Sequence, residues 1–184
     1  MTVTEIASLI CSRLEKAGFS CVLSGGACVT IYSKNEYQSA DLDFVMSDYS
    51  LKEIDGTMLE LGFTRKGHMR HYVNPGCPYY VEFPSPPLAV GEELIKKTAL
   101  LKTPYGQLRI LTPTDCVKDR LAAFYHWKDR QSLEQAILVA RHQKVDLTNI
   151  EKWSKNEGAA EKFEEFRRLS KAWKKTKSPD RFII

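Results

Sequence analysis

The chain has 184 residues, 43% of them apolar and 27% charged, with a net charge of +4, which fits one well-packed domain and excludes a disordered or fibrous chain. No apolar run approaches the roughly 20 residues that span a bilayer, so a membrane protein is not expected, and Met1-Thr2-Val3-Thr4-Glu5 shows no basic stretch or small-residue cleavage site of a secretory leader. The five cysteines (Cys11, Cys21, Cys28, Cys77, Cys116) form no C-x-x-C pair, which argues against zinc or a disulfide framework and leads us to expect free thiols in a cytoplasmic protein.

Thr2-x-x-Glu5 reads as a capping box, and Ile6, Leu9, Ile10 and Leu14 fall on one helical stripe that Gly18 ends. Cys21 to Leu23 reads as a short strand that breaks at Gly25-Gly26, and Ala27 to Tyr32 as a short helix. A second strand follows over Leu42 to Met46. Ser50 is expected to cap a helix that runs to about Leu61 and closes at Gly62. Phe63 to Lys66, Arg70 to Val73 and Tyr79 to Phe83 read as strands, the last two joined through Asn74-Pro75-Gly76. Leu100-Leu101 and Leu108 to Leu111 form a hairpin through Pro104-Tyr105-Gly106.

From Thr112 the pattern is helical. Thr112-Pro113-Thr114-Asp115 supplies an N-cap, a proline in the first turn and an acid at N3. Further helices are expected from about Gln131 to His142, from Thr148-x-x-Glu151, and from Ala159 to about Lys175. The last carries Lys162, Arg167, Arg168, Lys171, Lys174 and Lys175, continues to Lys177 and Arg181, and interleaves Phe163, Phe166 and Trp173. Such a stripe is the solvated face of an amphipathic helix or a surface for RNA or tRNA. The expected division is residues 1–111 as an α+β core and 112–184 as a helical region packed on it.

Two places carry chemistry. Side chains on a strand alternate faces, so Asp41 and Asp43 project to the same side and repel unless a hard divalent cation lies between them. Ser24-Gly25-Gly26 stands at a strand-to-helix turn, where bare backbone can approach a phosphate. Metal clamp and phosphate cradle together are the parts of phosphoryl or nucleotidyl transfer. His68, His71, His126 and His142 have no ligand spacing.

Gly25-Gly26, an apolar segment and the Asp41-Leu42-Asp43 strand together resemble the nucleotidyltransferase superfamily that shares its fold with DNA polymerase β, over about residues 20–140. The Asp115–Ala123 segment, with Lys128-Asp129-Arg130 beyond it, is similar to the lysine-bearing helix and charged turn of abortive-infection-type toxin nucleotidyltransferases. The resemblance implies an α+β fold, a mixed sheet flanked by helices with a C-terminal helical bundle. It implies Mg2+ or Mn2+ on Asp41 and Asp43, with Glu82 in Tyr79-Tyr80-Val81-Glu82-Phe83 as the third acid. It also implies an NTP held by Ser24, Gly25, Gly26 and Lys118, with Lys118 catalytic in neutralising charge on the leaving pyrophosphate, and with Asp129 supporting and Glu134 competing for that supporting role. The implied reaction moves a nucleoside monophosphate from an NTP to RNA, protein or a small acceptor such as an aminoglycoside. The alternative is a non-catalytic nucleotide-binding or partner-binding member of a toxin–antitoxin or phage-defence pair, with a cognate antitoxin as partner.

Overall fold

The computed structural model describes residues 1–46, 51–65 and 69–175. Helix α1 (Val3–Lys16) starts at a complete capping box, in which Thr2 Oγ1 accepts from the Glu5 amide at 3.3 Å and the Glu5 carboxylate accepts from the Thr2 amide at 2.8 Å. Its Ile6, Ile10 and Leu14 are buried, while Leu9 is only half-buried at the stripe's edge. Strand β1 (Cys21–Ser24) runs directly into α2 (Gly25–Tyr32), so this helix begins two residues earlier than the apolar pattern indicates. Strand β2 (Asp41–Met46) and helix α3 (Leu51–Glu60) follow, and the expected Ser50 cap lies outside the described residues.

Short strands come next: β3 (His71–Tyr72), β4 (Tyr80–Glu82), β5 (Ala89–Val90) and β6 (Glu93–Leu94). The strand expected at Phe63 to Lys66 is only a bridge of Thr64 to Val73, and Lys66 lies outside the described residues. The hairpin β7 (Thr98–Thr103) and β8 (Gly106–Leu111) closes the sheet segment. Helices α4 (Pro113–Trp127), α5 (Arg130–His142), α6 (Leu147–Asn156) and α7 (Ala160–Lys175) complete the described chain. Thr112 caps α4 as expected, whereas α6 is capped by Asp146, not Thr148.

Among the described residues the strands form a six-stranded mixed sheet in the order β3-β4-β2-β1-β8-β7, with β5 and β6 paired apart from it. Strand β2 lies antiparallel to β1 and parallel to β4, while β1 and β8 are parallel. One apolar core runs from Ile10 of α1 through Phe44 of β2 and Leu121 of α4 to Phe163 and Phe166 of α7. The helices after Leu111 therefore share a single core with the sheet.

The basic helix is more committed than its composition implies. Phe163 and Phe166 face the core, Lys162 donates to the Tyr125 carbonyl, and Arg167 pairs with Glu164. Lys177 and Arg181 lie outside the described residues.

Candidate active site

Along β2 the alternation is clear: Leu42, Phe44 and Met46 are buried in the core, and Asp41 and Asp43 stand half-buried on the opposite face. Register then gathers the other groups. Asp43 lies opposite Glu82 of the parallel strand β4 and opposite Ser24 of β1, and directly paired residues project to one side of a sheet. Asp41, Asp43, Glu82 and Ser24 therefore share a face.

Gly25 makes close approach possible. Its φ is +67°, in the left-handed region, and a Cβ there would lie 2.0 Å from Asp43 Oδ2, so the carboxylate rests against bare backbone where α2 begins. Ser24 makes no side-chain cap to α2; its hydroxyl donates to the Asp43 carbonyl at 3.3 Å. Gly26 plays a different part, because it is buried and a Cβ would meet Ser39 Oγ at 2.6 Å. Ser39 in turn donates to Asp41 Oδ1. Gly25→Ala is expected to destabilise the fold by about 1–3 kcal/mol, because a non-glycine residue is strained there and displaces the Asp43 carboxylate. Urea denaturation checks this, and an unchanged midpoint would remove the packing argument.

The electrostatics of the face are dominated by Asp43. Burial pushes its carboxyl up to about 7, the negative charges of Asp41 and Glu82 push the same way, and Arg120 pulls against them. An open cleft of about 310 Å3 lies over it, lined by Ser24, Gly25 and Asp43, by Leu88 and Ala89 at the entry to β5, and by Asp119 and Arg120 of α4. Arg120 is held in place from both sides. Its Nε donates to Asp119 Oδ2 at 3.0 Å, and its Nη1 donates to Gln135 Oε1 of α5 at 3.4 Å.

Asp119 and Arg120 are cleft residues to which the sequence assigns no role. The usable signal is their position between the inward-facing Val117 and Leu121. Lys118 has other company: its ammonium, 1% exposed, meets Glu93 at 2.9 Å and Asp115 at 3.7 Å, and Lys118 is not among the residues lining the cleft. Asp129 caps α5, accepting from the amides of Gln131 and Ser132, because α4 stops at Trp127 and Lys128 turns left-handed. Glu134 is exposed on α5.

The donor set suits a hard cation. Among the described residues no three His, Cys, Asp or Glu side chains converge into a metal centre. Asp41 and Asp43 instead offer oxygen donors from one strand face, and Asp43 is raised first by burial and then by the charges of Asp41 and Glu82. Mg2+ is typically held by one or two carboxylates, with substrate phosphate and water filling the other positions. These residues fit that pattern.

No protein-family model and no curated protein matches the sequence. Solved structures do match in shape. An antigenic nucleotidyltransferase-like protein from Paracoccidioides brasiliensis superposes with a TM-score of 0.55 at 14% identity, over 75% of this chain and 73% of that one. The antibiotic-resistance factor ANT(2'')-Ia superposes with a TM-score of 0.50 at 13% identity, over 92% of this chain and 91% of that one. The α+β fold expected from the glycine turn and the D-x-D strand is the fold found, and these solved structures share it.

Proposed function

We propose that this chain is a metal-dependent nucleotidyltransferase that moves a nucleoside monophosphate from an NTP to an acceptor hydroxyl. The observation that carries the reading is the placement of Asp43, which packs on Gly25, lies opposite Glu82 and shares its cleft with Arg120. Asp41 and Asp43 would hold Mg2+ or Mn2+. When bound, such a cation neutralises triphosphate charge and makes a hydroxyl more acidic.

The chain's own residues supply the rest. Backbone at Ser24 and Gly25 approaches the phosphates, and Gly26 keeps the first turn of α2 close against Ser39. Glu82, opposite Asp43 on β4, would receive the acceptor's proton. The acceptor oxygen forms a bond to the α-phosphorus as the bond to pyrophosphate breaks, and Arg120 faces the charge that grows on this leaving group. Lys118 acts one step removed, through Glu93. Asp129 supports the site by fixing the start of α5, which carries Gln135 to Arg120.

The test is to incubate the protein with each labelled NTP and Mg2+ or Mn2+, offering total RNA, total protein and hydroxylated amines as acceptors. Aminoglycosides belong in that panel because one structural neighbour is an antibiotic-resistance factor. Label transfer that a chelator abolishes is the expected result. NTP binding without transfer to any acceptor would leave the non-catalytic reading, with an antitoxin or other partner as its natural context. No NTP binding at all would overturn both.

A further inference from the structure

We infer that Lys118 is a positioning residue that holds the β5–β6 hairpin against the acid cleft; this rests on the proposed nucleotide site. The hairpin needs holding. It has two residues per strand, pairing Ala89 with Leu94 and Val90 with Glu93, and among the described residues it belongs to no larger sheet. A two-stranded ribbon of this kind is marginal alone in water. Yet Leu88, which leads into it, and Ala89, its first residue, line the cleft beside Asp43 and Arg120.

What fastens it comes from the helical region. Trp153 Nε1 of α6 donates to the Val90 carbonyl at 3.2 Å, and the Glu92 amide donates to Glu157 Oε1 at 2.9 Å. Gly91, at φ +57°, leaves room for that carboxylate, since a Cβ there would lie 2.3 Å from Glu157 Oε1. The third tie is Lys118 Nζ to Glu93 Oε2 at 2.9 Å.

The Lys118 tie is the demanding one. An ammonium 1% exposed must keep an anionic partner or lose far more than the pair's own worth, whereas Glu93 is 47% exposed and free to hydrate. Asp115 also faces the ammonium at 3.7 Å, but the closer contact, at 2.9 Å, forms only when the hairpin delivers Glu93. Helix α4 thus meets the cleft twice, directly through Arg120 and indirectly through Lys118 and the hairpin.

The inference makes an unusual demand: Glu93→Gln must reproduce Lys118→Met. Both variants are expected to speed hydrogen exchange by about tenfold or more at the Glu92 amide and at the Ile95 amide, which donates to the Leu88 carbonyl at 3.0 Å, because each opens the same local unit. In transfer assays both should raise KM for NTP about tenfold while leaving kcat within about twofold, the mark of a residue that shapes binding and does not touch reacting atoms. If Lys118 instead grips phosphate, Lys118→Met loses NTP affinity while Glu93→Gln keeps it, and hairpin exchange stays slow in both. That outcome overturns the inference. Should Lys118→Met not fold, Glu93→Gln alone decides, since Asp115 still faces the ammonium in that variant. If the wild type binds no NTP, the proposed function fails, and the exchange rates still report whether the tie holds the hairpin.

Discussion

Asp43→Asn is expected to stabilise the metal-free protein and to abolish nucleotidyl transfer. The stability half follows from the raised carboxyl, which burial and the neighbouring charges of Asp41 and Glu82 push up to about 7. A folded-state value above the unfolded one means that the folded protein binds the extra proton. Asp43's contribution is then fully present below the unfolded value near pH 4 and is lost as the pH climbs through about 7. Asparagine carries no charge at any pH, so the variant gains on the wild type as the solution becomes more alkaline. At about pH 8 the gain should reach roughly 1–3 kcal/mol, allowing for partial hydration of the site, and at about pH 4 it should vanish.

The activity half runs the other way. Removing a carboxylate proposed to hold the cation should cost transfer about 10³-fold or more, since the charge stabilised there would be largest in the transition state. Thermal denaturation with and without Mg2+ and NTP joins the two halves: the ligands should stabilise the wild type and leave the variant nearly unmoved. A variant less stable than the wild type at alkaline pH would make Asp43 a structural carboxylate, and the site would lose its central group.

The parts of this molecule that were readable in the sequence are the parts fixed by neighbours in the chain. The Thr2 and Thr112 caps, the Gly25 turn and the shared face of Asp41 and Asp43 depend on a few adjacent residues and on strand alternation. Where pairing decides, the sequence falls short. The register that sets Glu82 opposite Asp43 is made by a parallel strand some forty positions away. Strands of two residues, such as β5 and β6, carry no alternation to read. The helix α4 shows the limit most sharply. Lys118 and Arg120 are both cations on it, and two residues on a helix differ by roughly 200° about its axis. Composition cannot say which of them meets the sheet face. Packing does, because Val117 and Leu121 enter the core, Arg120 lines the cleft and Lys118 turns to Glu93.

Arg120→Ala is expected to lower kcat/KM for transfer about 10²–10³-fold, the usual cost of losing one preorganised contact to developing charge. Two features make this cation well prepared. Asp119 and Gln135 fix its guanidinium from opposite ends, so little ordering remains when the phosphates arrive. It is also the group that draws the Asp43 carboxyl downward against burial and its acidic neighbours. Removing it should therefore raise Asp43 further and leave more of it protonated in mildly acidic solution. The sign is testable by calorimetry of Mg2+–NTP binding. The variant's deficit should be larger at about pH 6 than at about pH 8.5, because a protonated Asp43 cannot serve as ligand. Arg120→Lys should recover only part of the loss, since an ammonium cannot span Asp119 and Gln135 as the planar guanidinium does. A deficit equal at both pH values would separate Arg120 from Asp43, and full rescue by lysine would reduce its role to that of a point charge.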